Sequence, residues 1–412
     1  MDGRRGAGLD ALLYAASALL AAGAAWLASI PQYREWGRIA AGPYAAGCLV
    51  AVLLSRRGAG VRTRTWLAAA VFAGAALAPM AAEVVWRANT APGLHAQSEV
   101  LVTEEAAKAL LAGRDPYAAT FLHGSLAARP LGTKTHFPYL PGMLAFGVPR
   151  ALDGRSPMSD ARLPFAAATL GAFGLAAMRW PGRSPGRLRA AQILLVLPTG
   201  ALLMATGGDD LPVLGLVLVS LVLAEEGRTT GSGIAAGLAA GLKLTAWVVL
   251  PFLTLAWGPA RRRGASLAAA VAGAAVIPFI AWNPAAFVED AVRFPLGLGR
   301  EPSAAETPTL GSALVRALPG PRAAVVLILV AIAAGAGLWL LVRAPNRTGA
   351  DAARNAGLLF LVALVLAPAA RAGYVVYPLN LLAWAWVLRR TPGVARSGTV
   401  DQARRAPAIP SA

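Results

Sequence analysis

Eleven apolar stretches constrain this chain more than any other feature. They fall at about 9–30, 40–55, 65–86, 163–178, 190–206, 211–224, 233–258, 265–282, 323–342, 356–370 and 373–388. A helix needs about 20 apolar residues to cross a bilayer, and lipid admits only segments that satisfy their own backbone hydrogen bonds. Charged residues make up 14% of the 412 positions, against about 25% in soluble domains. So few charges cannot cover a soluble surface, and 57% hydrophobic residues exclude a disordered chain. The expected fold is all-α: a polytopic transmembrane helical bundle in one domain, residues 1–390. Residues 391–412 read as a disordered cytoplasmic tail.

Lys and Arg number 38 and Asp and Glu 20, a net charge of +18. In a membrane protein this excess reads as basic inner loops, so no nucleic-acid partner is expected. Basic clusters occur at Arg56, Arg57, Arg62 and Arg64, at Arg179, Arg183, Arg187 and Arg189, at Arg261–Arg263, at Arg343, Arg347 and Arg354, and from Arg389 onward. Placing all of them inside requires the run 233–258 to enter and return, as two half-helices meeting near Lys243, Leu244 and Thr245. About twelve membrane segments follow, with both termini inside a plasma membrane. A second topology crosses 233–258 once and merges 356–388 into one helix. The first run is long enough to span and is read as retained. The single cysteine, Cys48, excludes an internal disulfide.

Two loops then face outward, about 88–162 and 283–322. Long loops in compact proteins are usually functional. In the first, Glu104, Glu105 and Lys108 share one side of a helical pattern, while Leu101, Val102, Ala106, Leu110 and Leu111 share the other. This predicts an amphipathic helix lying on the membrane. The stretch 137–152, cut by Pro138, Pro141 and Pro149, reads as re-entrant or interfacial.

Four groups could carry chemistry. Asp209 and Asp210, in Gly-Gly-Asp-Asp between two runs, are adjacent carboxylates at a membrane boundary, suited to general-base work or simply to a tight turn. Glu99, Asp115 and His136 sit in the outer loop. Their plain alternatives are a helix-start charge, a turn before proline and an interfacial histidine. Lys243 is a cation inside an apolar run, able to bind a lipid phosphate or to snorkel to the interface. Arg371, with Tyr374 and Tyr377, offers a phosphate ligand or an interfacial belt. The three histidines do not make a convincing zinc site.

At these residues the chain resembles the integral-membrane GT-C glycosyltransferases. It is similar to glycosyltransferase family 87, the actinobacterial polyprenyl-phospho-mannose-dependent mannosyltransferases and their relatives. The resemblance lies in SEVLVTEEAAKALLAGRDPY (98–117), HFPYLPGMLAF (136–146), GGDDLPVLGLVLVSLVLAEEGRTTGSGIAAGLAAGLKLTAWVVLPFL (207–253) and ARAGYVVYPLNLLAW (370–384). The family's loop acid, usually Asp and the presumed base, falls on Glu99. Asp115, Pro116 and Tyr117 match directly, Asp209 and Asp210 match its acidic turn, and Lys243 matches its lysine. Arg371 and Tyr374 stand where the family has a histidine. The first two spans are additional to its usual arrangement.

The resemblance implies transfer of mannose or another sugar from a polyprenyl-phosphate donor to a lipid or glycan acceptor on the outer face. No cofactor is implied. Glu99, Asp209 and Asp210 are the candidate catalytic carboxylates. Asp115, Tyr117, His136, Tyr139, Lys243, Arg371 and Tyr374 are the candidate substrate-binding residues, with Lys243 and Arg371 on the phosphate. The competing class is a transporter or lipid flippase, which predicts repeat symmetry and carboxylates at mid-membrane.

Overall fold

Pro31 opens a second long helix only three residues after the first ends, so the N-terminal hairpin folds back on itself. The computed structural model describes residues 3–389 apart from 92, 155, 181–184, 304 and 306. The predicted tail 391–412 and Arg183 lie outside the described residues. The hairpin is α1 (Gly3–Leu27) and α2 (Pro31–Arg56), followed by α3 (Val61–Ala88). The long loop carries α4 (Ser98–Leu111) and α5 (Leu144–Asp153). The bundle continues with α6 (Arg162–Arg179), α7 (Pro185–Val196), α8 (Pro198–Thr206), α9 (Asp210–Glu225), α10 (Thr229–Leu242), α11 (Leu250–Ala256) and α12 (Gly258–Trp282). It closes with α13 (Leu310–Ala317), α14 (Arg322–Arg343), α15 (Gly349–Leu366) and α16 (Val376–Arg389). Every regular element among the described residues is helical.

Among the described residues, six helices are long and apolar enough to cross a membrane, or seven if the bent pair α7–α8 counts as one span. About twelve segments were expected. The difference lies in short central helices such as α9, α10 and α16. α9 is buried along nearly its whole length, and α6, α10, α15 and α16 all pack against it. A helix enclosed by other helices needs neither the length nor the lipid-facing surface of a peripheral span. Small residues allow the close approach: a Cβ on Gly237 of α10 would lie 2.7 Å from the Ala268 carbonyl oxygen of α12.

The run 233–258 does break, near Lys243, where two half-helices were expected to meet. Lys243 is extended and ends α10, a 3₁₀ turn (Leu244–Val248) follows, and α11 begins at Leu250. Freed carbonyls find donors: Leu140 N–H reaches Leu242 O at 3.0 Å, and the Trp247 indole reaches Ala240 O at 2.9 Å. The alternative of one helix over 356–388 fails, because α15 ends at Leu366 and α16 begins at Val376.

Three readings need correction. α4 does not offer its apolar side to a membrane, because Leu101, Val102 and Ala106 are buried in protein. It is packed inside the fold against α5, with Glu104 buried and Leu111 exposed. The reason is ion pairing: Arg87 donates to both Glu104 oxygens, at 2.9 and 2.6 Å. The stretch 137–152 is not one interfacial segment but a loop, a 3₁₀ turn (Pro141–Met143) and α5, packed on α4. Arg64 and Arg189 are not free topology markers. Both bind the buried Asp10 carboxylate, Arg64 at 2.6 Å, and Gln192 joins them at 3.0 Å.

Candidate active site

The Gly-Gly-Asp-Asp turn is built by its first glycine. Gly207 has φ +95°, and its N–H and that of Gly208 both return to Leu203 O, at 2.9 and 2.6 Å, closing α8. A Cβ at Gly207 would strike the Val100 side chain of α4, one residue past Glu99. Gly207→Ala is therefore expected to cost at least the ~1–2 kcal/mol of a left-handed non-glycine residue. A lowered thermal midpoint in detergent checks this, and an unchanged midpoint refutes it.

After the turn, Asp209 immediately precedes α9 without a side-chain capping bond and Asp210 is its first residue, so both carboxylates stand at the positive end of the helix dipole. The helix break brings Lys243 to them. Lys243 Nζ donates to Asp209 Oδ1 at 2.8 Å and to Asp210 Oδ1 at 2.5 Å. The tyrosines cover the ammonium, with the Tyr139 and Tyr374 ring centroids 5.3 and 5.6 Å away. Tyr377 donates to Asp210 Oδ1 at 2.6 Å and accepts from Thr245 at 2.7 Å. Burial holds the Asp209 carboxyl above the usual range against the pull of Lys243, and its Oδ2 has no partner.

Glu99, in the first turn of α4, forms an ion pair with Arg371 from the segment between α15 and α16. This pair lines two neighbouring cavities. The smaller, about 120 Å³, also holds Lys243, Asp210, Tyr139 and Tyr374. The larger, about 490 Å³, extends toward the α1–α2 turn and is lined by Gln32, Tyr33, Gln97 and Arg129. Tyr33, Gln97, Glu99 and Arg371 belong to both.

The structure thus brings together Glu99, Asp209, Asp210, Tyr139, Lys243, Arg371 and Tyr374, and leaves Asp115, Tyr117 and His136 outside these cavities. Asp115 Oδ1 accepts from Tyr117 N–H at 3.0 Å, a turn before Pro116 closes back. Tyr117 is buried among Phe137, Phe279 and Phe287 and donates to Tyr139 O at 2.9 Å, which fixes the loop under Lys243. His136 stacks on Phe294 at 4.0 Å, with its Nε2 3.7 Å from Glu289 and 3.9 Å from Asp290. Burial pushes Asp290 up to about 8, although the Phe137 N–H bond lowers it. Among the described residues no cluster of three or more His, Cys, Asp or Glu is arranged to hold a metal.

Sequence reasoning missed Gln32, Tyr33 and Gln97, which no local pattern marks. It also missed a buried ion network behind the site. Arg87 donates to Asp160 at 2.7 Å as well as to Glu104. Arg162 donates to Asp160 Oδ1 and Oδ2, both at 2.8 Å, to Glu83 at 3.2 Å and to His95 O at 2.7 Å. Burial alone would raise Asp160, but the Arg162 bonds outweigh it and hold the carboxyl well below the usual range. The available signal was Glu83, a carboxylate inside an apolar run.

A crystal structure of ArnT from Cupriavidus metallidurans bound to undecaprenyl phosphate is similar to this chain, with TM-score 0.48 and 17% identity over 80% of this chain and 61% of that one. The apo state of the same protein gives 0.45 and 16% over 78% and 59%. The chain thus spans about three fifths of the length of those structures. No curated protein matches it. The model of glycosyltransferase family 87 matches residues 137–368. That match covers more than half of the chain, including the Asp-Asp turn and Lys243, and this membrane protein belongs to glycosyltransferase family 87.

Proposed function

We propose that this protein transfers a sugar, mannose or another hexose or pentose, from a polyprenyl-phosphate donor to a hydroxyl of a lipid or glycan acceptor, on the outer face of the plasma membrane. The observation that carries the reading is the Glu99–Arg371 pair, a carboxylate and a guanidinium on the wall common to two cavities. The donor phosphate binds Arg371, whose planar fork suits phosphate oxygens. That contact draws the guanidinium from Glu99 and frees the carboxylate as a base. Glu99 then takes the proton of the acceptor hydroxyl as the new bond to the anomeric carbon forms. The bond from that carbon to the phosphate oxygen breaks, and polyprenyl phosphate leaves on Arg371.

Lys243 takes a different part from the one its position in an apolar run suggested. It is already paired with two carboxylates, so the cluster of Lys243, Asp209 and Asp210 carries a net negative charge that does not attract phosphate. We assign it the role of holding Asp210 against the smaller cavity. There the carboxylate offsets positive charge developing on the sugar ring in the transition state. Asp209 sits behind it, away from the cavity lining.

The test is direct. Protein in lipid nanodiscs is given radiolabelled polyprenyl-phospho-mannose and a mixed lipid extract. The expected result is label in a new product with release of polyprenyl phosphate. Label that moves only when supplied as a nucleotide sugar would overturn the donor assignment. In sealed proteoliposomes, movement of intact donor between leaflets, without product, would favour a flippase.

A further inference from the structure

The ends of α9 and α10 that point away from Asp210 and Lys243 carry a separate cavity, which the sugar chemistry above leaves unused. α9 has 16 residues, so about 24 Å of helix lies between its two ends at 1.5 Å per residue. Gly227, at φ +72°, closes that far end: its N–H returns to Ala224 O at 3.0 Å and the Arg228 N–H to Leu223 O at 2.8 Å. The turn is tight, and α10 begins at Thr229 beside the end of α6 and the start of α12.

Three arginines from three separate elements face this cavity. Arg179 is the last residue of α6, Arg228 precedes α10, and Arg263 lies near the start of α12. With Thr229 and Thr230 they line a space of about 510 Å³, inside the range of about 300–1,000 Å³ usual for small-molecule sites. No carboxylate lines it among the described residues. Glu226, 3.3 Å from Arg228, answers one guanidinium and leaves two uncompensated. Arg179 and Arg263 are exposed and have no ion-pair partner among the described residues. Thr229 is only 9% exposed, yet its hydroxyl has no hydrogen-bond partner among them either. No side chain caps α10, so its first N–H groups add to the positive potential. A topology signal needs only basic residues in a loop, which Arg261 and Arg262 already supply. It does not need arginines from three elements to face one cavity.

Apolar surface continues away from the arginines. Leu175, one turn before Arg179 on α6, lines the cavity and is exposed. On α10, Thr230, Ile234 and Leu238 recur every four residues and so share a face, and Ile234 and Leu238 are exposed. A free phosphate has no use for these apolar rows, whereas a lipid fits both the rows and the cations.

We propose that this cavity binds the headgroup phosphate of an anionic phospholipid, in the leaflet opposite the Asp209–Lys243 cluster, with the acyl chains lying along α6 and α10. Arg179 and Arg263 donate charge-assisted hydrogen bonds to the phosphate oxygens, and the Thr229 hydroxyl adds a third donor. The lipid then ties the ends of α6, α10 and α12 together.

The full chain in a neutral detergent is titrated with phosphatidylglycerol, with phosphatidylcholine of the same acyl chains, and with inorganic phosphate, and bound lipid is counted by native mass spectrometry. Phosphatidylglycerol is expected to bind saturably and about tenfold tighter than phosphatidylcholine, and equimolar inorganic phosphate is expected not to displace it. Arg179→Gln with Arg263→Gln should weaken binding by about tenfold or more, and Arg263→Gln alone should give a smaller loss. Arg261→Gln with Arg262→Gln removes the same charge outside the cavity and should change affinity by less than about twofold. A thermal midpoint equal to wild type in the absence of lipid shows that the variants are folded, since the substituted arginines are exposed. Equal weakening by the two double variants, or equal affinity for phosphatidylcholine, overturns the site. Displacement of the lipid by equimolar inorganic phosphate overturns the assignment to a phospholipid.

Discussion

Glu99→Gln is expected to lower kcat for sugar transfer by about 10²–10⁴-fold, the usual worth of a general base, with little change in donor affinity. The substitution keeps the shape of the side chain and removes only its ability to take a proton. It also releases Arg371 from its ion pair, so the donor phosphate finds the guanidinium at least as available as before. Loss should therefore fall on kcat and leave the donor KM level or lower. Glu99→Asp withdraws the carboxylate by one methylene and should keep part of the activity. Steady-state kinetics on the three proteins, with labelled polyprenyl-phospho-sugar, checks the pattern. Transfer by Glu99→Gln within threefold of wild type would remove Glu99 as the base. Asp210, the other carboxylate on the smaller cavity, would then be the next candidate.

The largest expected effect on stability is at Arg162. Its guanidinium is buried and serves Asp160, Glu83 and the His95 carbonyl together. Arg162→Met keeps much of the side-chain volume but leaves the buried Asp160 carboxylate with Arg87 alone and takes the donor from Glu83. Removing one partner of a buried ion pair costs about 3–5 kcal/mol, because the remaining charge is uncompensated. Thermal unfolding in detergent should show a midpoint lowered by several degrees. Arg162→Met combined with Asp160→Asn should recover part of the loss, since the stranded charge is gone. A single variant as stable as wild type would mean that water reaches this network. The network also holds α3, α4 and the start of α6 together, so the placement of Glu99 depends on it.

The helices were legible because burial in lipid or protein needs continuous apolar sequence. The runs 163–178, 211–224 and 323–342 became Arg162–Arg179, Asp210–Glu225 and Arg322–Arg343. The break at Lys243 was expected for a second reason, the reading that the basic loops on both sides of 233–258 share one face; the interruption of the helix there is what the structure shows. α4 was misread because its charges look solvated in sequence. Only the arrival of Arg87 and the Ala161 N–H from elsewhere makes burial of Glu104 favourable.

The site divides in the same way. Asp209, Asp210 and Lys243 were visible one by one, since charges beside apolar runs are costly and stand out. Their pairing was not, because 33 and 34 positions separate the lysine from the two aspartates. Arg371 was read as a phosphate ligand, yet its partner Glu99 lies 272 positions away. Gln32, Tyr33 and Gln97 carry no mark in sequence at all.

By itself, then, the sequence determined that the chain is a helical membrane protein, where most of its helices run, where one breaks, and which charges are too costly to be idle. These follow from local hydrophobicity and from charge, which are properties of neighbouring residues. The tertiary structure alone decided which charges meet, that Lys243 is already neutralised, and that the N-terminal hairpin walls a cavity beside Glu99. Those depend on contacts between residues far apart in the chain, and they exist only once the helices have packed.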